Sequence, residues 1–349
     1  MYLLRNVTLR DLPDLSVLAK SFNTVNLPDD QDELRAIVEH SVASFDGSVT
    51  DPFAREFVFV LEDREKKQVI GTSQIMAQHG TRDAPHVYLN VTKEEKYSPT
   101  TKRYMTHKVL TLGLNYNGPT EIGGLILHPD YRRAAGKLGK QLSFIRFVFM
   151  AMRPSEFRDS VLAELLPPLG KDGRSALWDA LGQRFTGMDY READLISKHN
   201  KDFIKNLFPS GHIYATLFSE EAQAVIGEVG EATKGVKRML ENIGFQQVSR
   251  VDPFDGGPHF RADTNDIWPI TNSLKSVVAK GDKRSITKGP GQYANGLVAR
   301  SKDNAFAATR CDYRVLGQVT EIPEDAMDAL ALTDGDEIYT LAFSTHTRH

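Results

Sequence analysis

One segment limits what this 349-residue chain can fold into: an apolar strand that runs directly into a basic, glycine-containing turn. It reads Gly123-Gly-Leu-Ile-Leu-His-Pro-Asp-Tyr-Arg-Arg-Ala-Ala-Gly-Lys-Leu-Gly-Lys140. Glu121–Leu127 has the make-up of a buried strand, His128-Pro129-Asp130 breaks it, and a helix is predicted from about Gly136 to Met152. Glycines let a backbone approach a phosphate closely. The exposed N–H groups and dipole of a helix start favour an anion, and Arg132, Arg133, Lys137 and Lys140 add positive charge. A Walker loop needs Gly-Lys followed by Ser or Thr, but Gly139-Lys140 is followed by Gln141. The Gly-x-Gly-x-x-Gly dinucleotide fingerprint is absent as well.

The rest of the chain alternates short elements. Strands are predicted at Leu3–Val7, Phe57–Leu61, Gln68–Met76, Ser160–Leu166, Gln246–Val251 and His259–Ala262, with weaker ones at Tyr88–Val91 and Tyr104–Leu114. Helices are predicted after the caps Thr8 and Asp11 to about Phe22, at Asp29–Ala43, and at Thr233–Asn242 before Gly244-Phe245. Residues 170–228 look mostly helical and read as an insertion. The Lys- and Gly-rich stretch Ala279–Gly291 reads as a mobile loop, and beyond it lie short strands, a helix near Glu324–Leu330 and an alternating strand ending at Phe343. The expected class is α+β, a mixed sheet flanked by helices. Its domains are 1–263 and a small β-rich unit, 264–349.

Composition narrows the function. The net charge of −3 argues against a nucleic-acid surface. No run approaches the ~18 apolar residues of a membrane span, and the N-terminus lacks a signal-peptide layout, so a cytoplasmic location is expected. The single cysteine, Cys311, cannot form an internal disulfide and reads as a small buried apolar residue rather than a nucleophile. His79, His86 and His107 have no metal-ligand spacing, and no metal is expected.

The spacing Arg133-x-x-Gly136-x-Leu138 resembles the pyrophosphate loop of the Gcn5-related N-acyltransferase fold. The order of elements resembles that fold too. The resemblance implies that the backbone of Leu125, Ile126 and Leu127 runs beside the pantetheine arm of an acyl-coenzyme A. It also implies that Arg132, Arg133, Gly136, Lys137, Leu138 and Gly139 hold the phosphates. In this fold a tyrosine often serves as general acid, but the corresponding position here is Leu240.

Further segments resemble the arginine N-succinyltransferase family: Phe57-Val-Phe-Val-Leu-Glu-Asp63, Leu177-Trp-Asp-Ala-Leu-Gly-Gln-Arg-Phe185, Ile226-Gly-Glu-Val229 and Phe254-Asp-Gly-Gly-Pro258. The resemblance spans residues 2 to about 262. It implies succinyl transfer from succinyl-CoA to the α-amino group of arginine, with Leu125 contacting succinyl-CoA. It also implies a homodimer or heteromer, with no nucleic acid or membrane partner. The family's catalytic histidine position is Gly230 here, and glycine carries no proton. Candidate replacements are His212, Glu231 and Glu121. Each also has an ordinary role: loop histidine, favourable negative charge at a helix start, and strand end. Asp255 is the candidate for the acceptor's guanidinium, whose planar fork pairs with two oxygens, or else a turn residue bonding local backbone. Three readings stay open: this reaction with another proton shuttle, the same fold with another amine or acyl group, and a catalytically silent CoA-binding subunit.

Overall fold

The computed structural model describes residues 1–22, 27–82, 84–170 and 173–343. In chain order the elements begin with β1 (Tyr2–Asn6), α1 (Leu12–Phe22), α2 (Gln31–Asp46), β2 (Glu56–Asp63) and β3 (Gln68–Met76). Next come β4 (His86–Ser98), β5 (Arg103–Asn115), β6 (Thr120–Leu127), α3 (Leu138–Met152) and β7 (Ser160–Glu164). A helical stretch follows with α4 (Ala176–Ala180), α5 (Gly182–Thr186), α6 (Tyr190–His199), α7 (Asp202–Leu207), β8 (Ile213–Tyr214), α8 (Glu220–Val225) and α9 (Lys234–Glu241). Then come β9 (Gln246–Val251), β10 (Pro258–Asp263), α10 (Trp268–Thr271), β11 (Leu274–Lys280), α11 (Lys283–Lys288) and β12 (Gln292–Lys302). The chain closes with β13 (Ala305–Leu316), β14 (Val319–Ile322), α12 (Glu324–Ala329) and β15 (Glu337–Ala342). The class is mixed α+β, as expected.

The chain forms two compact units. The first comprises Met1–Ala77, Thr120–Asp159 and Asp263–His349, and the second Gln78–Pro119 and Ser160–Ala262. The sequence reading placed its boundary at 263/264. Residues beyond that point here share a unit with the N-terminal strands, because β13 pairs antiparallel with β1, Leu4 facing Ala308.

In the first unit the strand order is β12-β15-β11-β14-β13-β1-β2-β3-β6. β2 is buried on both faces, which is why it reads as one apolar run. Val58 and Val60 face Leu15, Leu18, Leu34 and Val38 of α1 and α2. Phe57 and Phe59 meet Phe149 of α3 at ring distances of 4.8 and 5.2 Å. Among the elements of this unit, the Lys- and Gly-rich stretch departs from expectation. It is the end of β11 followed by α11, whose N-cap Asp282 accepts from the N–H groups of Arg284 and Ser285. Ile286 fastens this short helix by its burial. The polar composition that suggests a loop is the solvated face of a capped helix.

In the second unit the order is β7-β10-β9-β4-β5-β8. β4 and β5 form a long hairpin in unbroken register from His86↔Asn115 to Ser98↔Arg103. The core there gathers Leu89, Leu110, Leu177, Trp178, Ile204, Val251 and Phe254. Trp178 is fully buried, as its helical spacing with Leu181 suggests. Among the described residues no helix is long and apolar enough to cross a membrane.

Candidate active site

In the first unit β6 is not a regular strand. Gln74 pairs with Gly123 and Thr72 with Ile126, so Gly124 and Leu125 together oppose Ser73 in a β-bulge. Gly124 takes φ +56°, and a Cβ there would come within 2.8 Å of the Gln74 side chain. The carbonyls of the bulge are held from the side: Arg146 Nη1 donates to Gly123 (3.1 Å) and Thr72 Oγ1 to Gly124 (3.0 Å). Arg146 lies buried inside α3, where desolvation pushes its guanidinium down to about 9. Ile126 sends its side chain into the core, so only its backbone is left for a ligand. Leu125 and Leu127 are half-buried.

The turn after β6 is held at both ends. Tyr131 is buried and donates to Asp63 Oδ2 at 3.0 Å. Gly136 has φ +101°, and Lys137, at the N-cap of α3, has φ +55°. The Gly136 carbonyl accepts from Gln141 Nε2 (2.8 Å) and from Arg310 Nη1 (2.6 Å). Tying this carbonyl to side chains fixes the turn that leads into the first N–H groups of α3. Arg132, Arg133 and Lys137 are exposed, Gly139 is half-buried with open space where a Cβ would stand, and Leu138 is a core residue. Lys140 lies over Phe144 and Phe343, and burial, then Lys137 and Arg310, lower its pKa. A cation whose charged form is opposed by neighbouring cations favours an anion beside it. Arg310 joins this group from β13 and was absent from the sequence reading. No local pattern connects it to a turn 174 residues away.

In the second unit Asp255 sits in the loop between β9 and β10. Its Oδ1 accepts from Gly257 N–H at 2.7 Å, and Gly256 has φ +82°. A Cβ on Gly257 would meet the Leu165 carbonyl at 2.4 Å, which explains the second glycine of Asp-Gly-Gly-Pro. Asp252 starts the loop by accepting from Phe254 and Asp255 N–H groups. The turn role of Asp255 is therefore real. Its electrostatics go further, because burial and then Asp252 push its carboxyl well above the usual range. Burial and then Glu164 push Asp252 up to about 7, against the opposing charge of Lys201.

Beside these carboxyls lies a group that sequence spacing did not reveal. Glu164 Oε1 is 3.0 Å from His86 Nε2 and 3.2 Å from His259 Nε2. The two imidazoles stack at 5.3 Å, and His79 meets His86 edge-on at 4.3 Å. Burial drives His86 down to about 4. Burial would raise Glu164, but His259 and His86 hold it well below the carboxylate range. The residues come from β4, β7, β10 and the segment before β4, which only the tertiary fold brings together.

The three acid/base candidates lie on different elements. His212 is exposed just before β8. Glu231 is exposed, ion-paired with Lys234, and opens a short 3-10 turn. Glu121 belongs to β6 of the first unit, opposite Met76. Gly230 donates its N–H to the Leu166 carbonyl at 2.9 Å, and a Cβ on it would stand 2.7 Å from the Pro167 carbonyl oxygen. The backbone has closed over the position that a histidine would need. Leu240 and Phe245 are core residues.

A family model described as "Arginine N-succinyltransferase beta subunit" matches residues 2–269. The chain is 32% identical over 346 residues to the arginine N-succinyltransferase of Yersinia pseudotuberculosis serotype O:3 (strain YPIII), covering 97% of each. It is 32% identical over 341 residues to that of Citrobacter koseri, covering 97% of this chain and 96% of the relative. A solved structure, described as arginine/ornithine succinyltransferase subunit AI from Pseudomonas aeruginosa, superposes with TM-score 0.83 at 26% identity, covering 99% of both chains.

Proposed function

Because this chain belongs to the arginine N-succinyltransferase family, we propose that it transfers the succinyl group of succinyl-CoA to the α-amino group of arginine. The observation that carries this reading is the bulged β6 feeding a cationic, left-handed turn at the start of α3. In this reading the fold is of the Gcn5-related N-acyltransferase type. The backbone at Leu125 to Leu127 runs beside the pantetheine arm. An N–H in the bulge polarises the thioester carbonyl, and Arg132, Arg133, Gly136, Lys137, Leu138, Gly139 and Lys140 surround the phosphates.

In the reaction the neutral α-amine attacks the thioester carbon, the C–N bond forms, and the C–S bond breaks. The amine's extra proton leaves to a base or solvent, and the coenzyme A thiolate takes one up. A positioned acid/base adds about 100- to 10,000-fold. With Gly230 in the family's histidine position, that role falls to His212, Glu231 or Glu121, and proximity supplies much of the remainder. Asp255, supported by Asp252, receives the acceptor's guanidinium. Asp252 raises the buried Asp255 carboxyl, and the acceptor's guanidinium supplies a cation that favours its charged form. The setting we propose is cytoplasmic, as a homodimer or heteromer.

The test is thiol release from succinyl-CoA with arginine, ornithine and lysine offered in turn. Turnover on arginine is expected. Turnover on ornithine or lysine alone would move the assignment to another acceptor within this fold. Gly230 favours one second reading, a CoA-binding subunit without its own turnover. Tight succinyl-CoA binding with no thiol released on any amine would establish that reading and overturn the first.

A further inference from the structure

We propose that His79, His86 and Glu164 form a binding site for one divalent transition-metal ion of the zinc class. This goes beyond the acyltransferase reading and does not depend on it. The three residues each offer one ligand atom, and these atoms all lie within 4.8 Å of one another. Ligands about 2.0–2.2 Å from a tetrahedral metal are a little over 3 Å apart. His86 Nε2 and Glu164 Oε1 already stand at 3.0 Å. Small side-chain rotations close the widest remaining gap.

The donor set narrows the ion to a borderline divalent transition metal, since two imidazoles and one carboxylate suit iron(II) as well as zinc. Two imidazoles and one carboxylate are the ligands of an open zinc centre, which keeps its fourth position for water or a substrate atom. Calcium and magnesium ask for six or more oxygens, and copper(I) asks for thiolate or thioether sulfur. The chain's single cysteine, Cys311, belongs to the other unit.

The surroundings hold the ligands in place. His86 is 3% exposed and His259 0% exposed. His259 stacks on the His86 ring and keeps its Nε2 3.2 Å from Glu164 Oε1, so it orients both a ligand ring and the ligand carboxylate. Asp252 and Asp255 act electrostatically on the same carboxylate. Glu164 carries a negative charge between imidazoles, and a dication offsets a charge that neutral imidazoles cannot.

The alternative is a metal-free His–Glu–His hydrogen-bond group, and one experiment separates the two. Tag-free protein is stripped with a chelator, given zinc, desalted and analysed for bound metal. Affinity is read by competition with a chromophoric chelator, and cobalt(II) reports geometry through its visible absorption. One zinc per chain and an intense cobalt spectrum typical of four or five ligands are expected. Glu164→Gln, His79→Asn and His86→Asn should each weaken binding by roughly 100-fold or more. His259→Asn should cost about 10- to 100-fold. His107→Asn, a histidine of β5 that bonds Thr216 and packs on Tyr214, should change nothing. Well under one zinc retained by the wild type overturns the proposal, whatever the variants do. Equal affinity in folded Glu164→Gln and His79→Asn proteins, checked by circular dichroism, overturns it as well.

Discussion

At the scale of the residue, the carboxyls proposed to receive the acceptor give the sharpest pH expectation. Asp252 is pushed up to about 7 and Asp255 is raised with it, so in the free protein they hold protons that ordinary carboxyls would have lost. A bound guanidinium favours their charged forms and lowers both. Arginine binding near neutral pH should therefore release protons, and the share contributed by Asp252 should fade above about pH 8, where it is already ionised. Calorimetry in two buffers of different ionisation enthalpy measures this directly. Asp255→Asn should raise KM for arginine about 10- to 100-fold, the worth of a charge-assisted hydrogen bond. A proton count of zero at pH 7 would remove these carboxyls from the acceptor site. Gly230 leads to a different expectation. A histidine there would place its Cβ 2.7 Å from the Pro167 carbonyl. Gly230→His should then destabilise the protein by about 1–3 kcal/mol without restoring rate. A large gain in kcat with an unchanged melting temperature would contradict this. Cys311, its thiol pushed up to about 12 by burial, should alkylate far more slowly in the native protein than after unfolding.

At the scale of the element, the strand–turn–helix unit was the most legible part of the chain. Its apolar strand, its helix breakers and its glycines are all local signals. The boundaries of β3 and β9 could also be read directly, because alternating or continuous apolar runs end at turn residues. What the sequence did not disclose are contacts made by register. His79 and His86 are neighbours in sequence, but Glu164 and His259 are remote from them and meet them only because β7, β10, β9 and β4 lie in one sheet. Arg310 reaches the Gly136 carbonyl for the same kind of reason, through β13 beside β1 and β2. This gives the turn its own test. Arg310→Ala and Lys140→Ala should each weaken succinyl-CoA binding several-fold while KM for arginine stays near the wild-type value. Gly136→Ala forces a side chain into φ +101° and should do the same at a cost of about 1 kcal/mol or more in stability. An effect on arginine alone would place the phosphates elsewhere.

At the scale of the whole molecule, the residues of the two proposed binding sites belong to different compact units. The cationic turn, α3 and Arg310 belong to the unit built from the N-terminal, central and C-terminal segments, and Asp252, Asp255 and the histidine group belong to the other. A ligand that binds only the folded state stabilises it by about 2.7 kcal/mol at a hundred times its Kd. In a chain of two units that gain need not appear as one two-state shift in melting temperature. Hydrogen exchange resolves it by position, since local opening is suppressed where contacts form. Succinyl-CoA alone should protect amides in the bulge of β6 and from Arg132 to Gln141. Arginine alone should protect the loop from Asp252 to His259. The C-terminal helix α12, which carries neither proposed site, serves as the internal reference. Slowed exchange at α12 with an unaltered Arg132–Gln141 turn would mean that succinyl-CoA binds away from β6 and its turn. Protection of Arg132–Gln141 by succinyl-CoA, with an arginine response confined to the Asp252 loop, would assign each substrate to its unit by a measurement that needs no turnover.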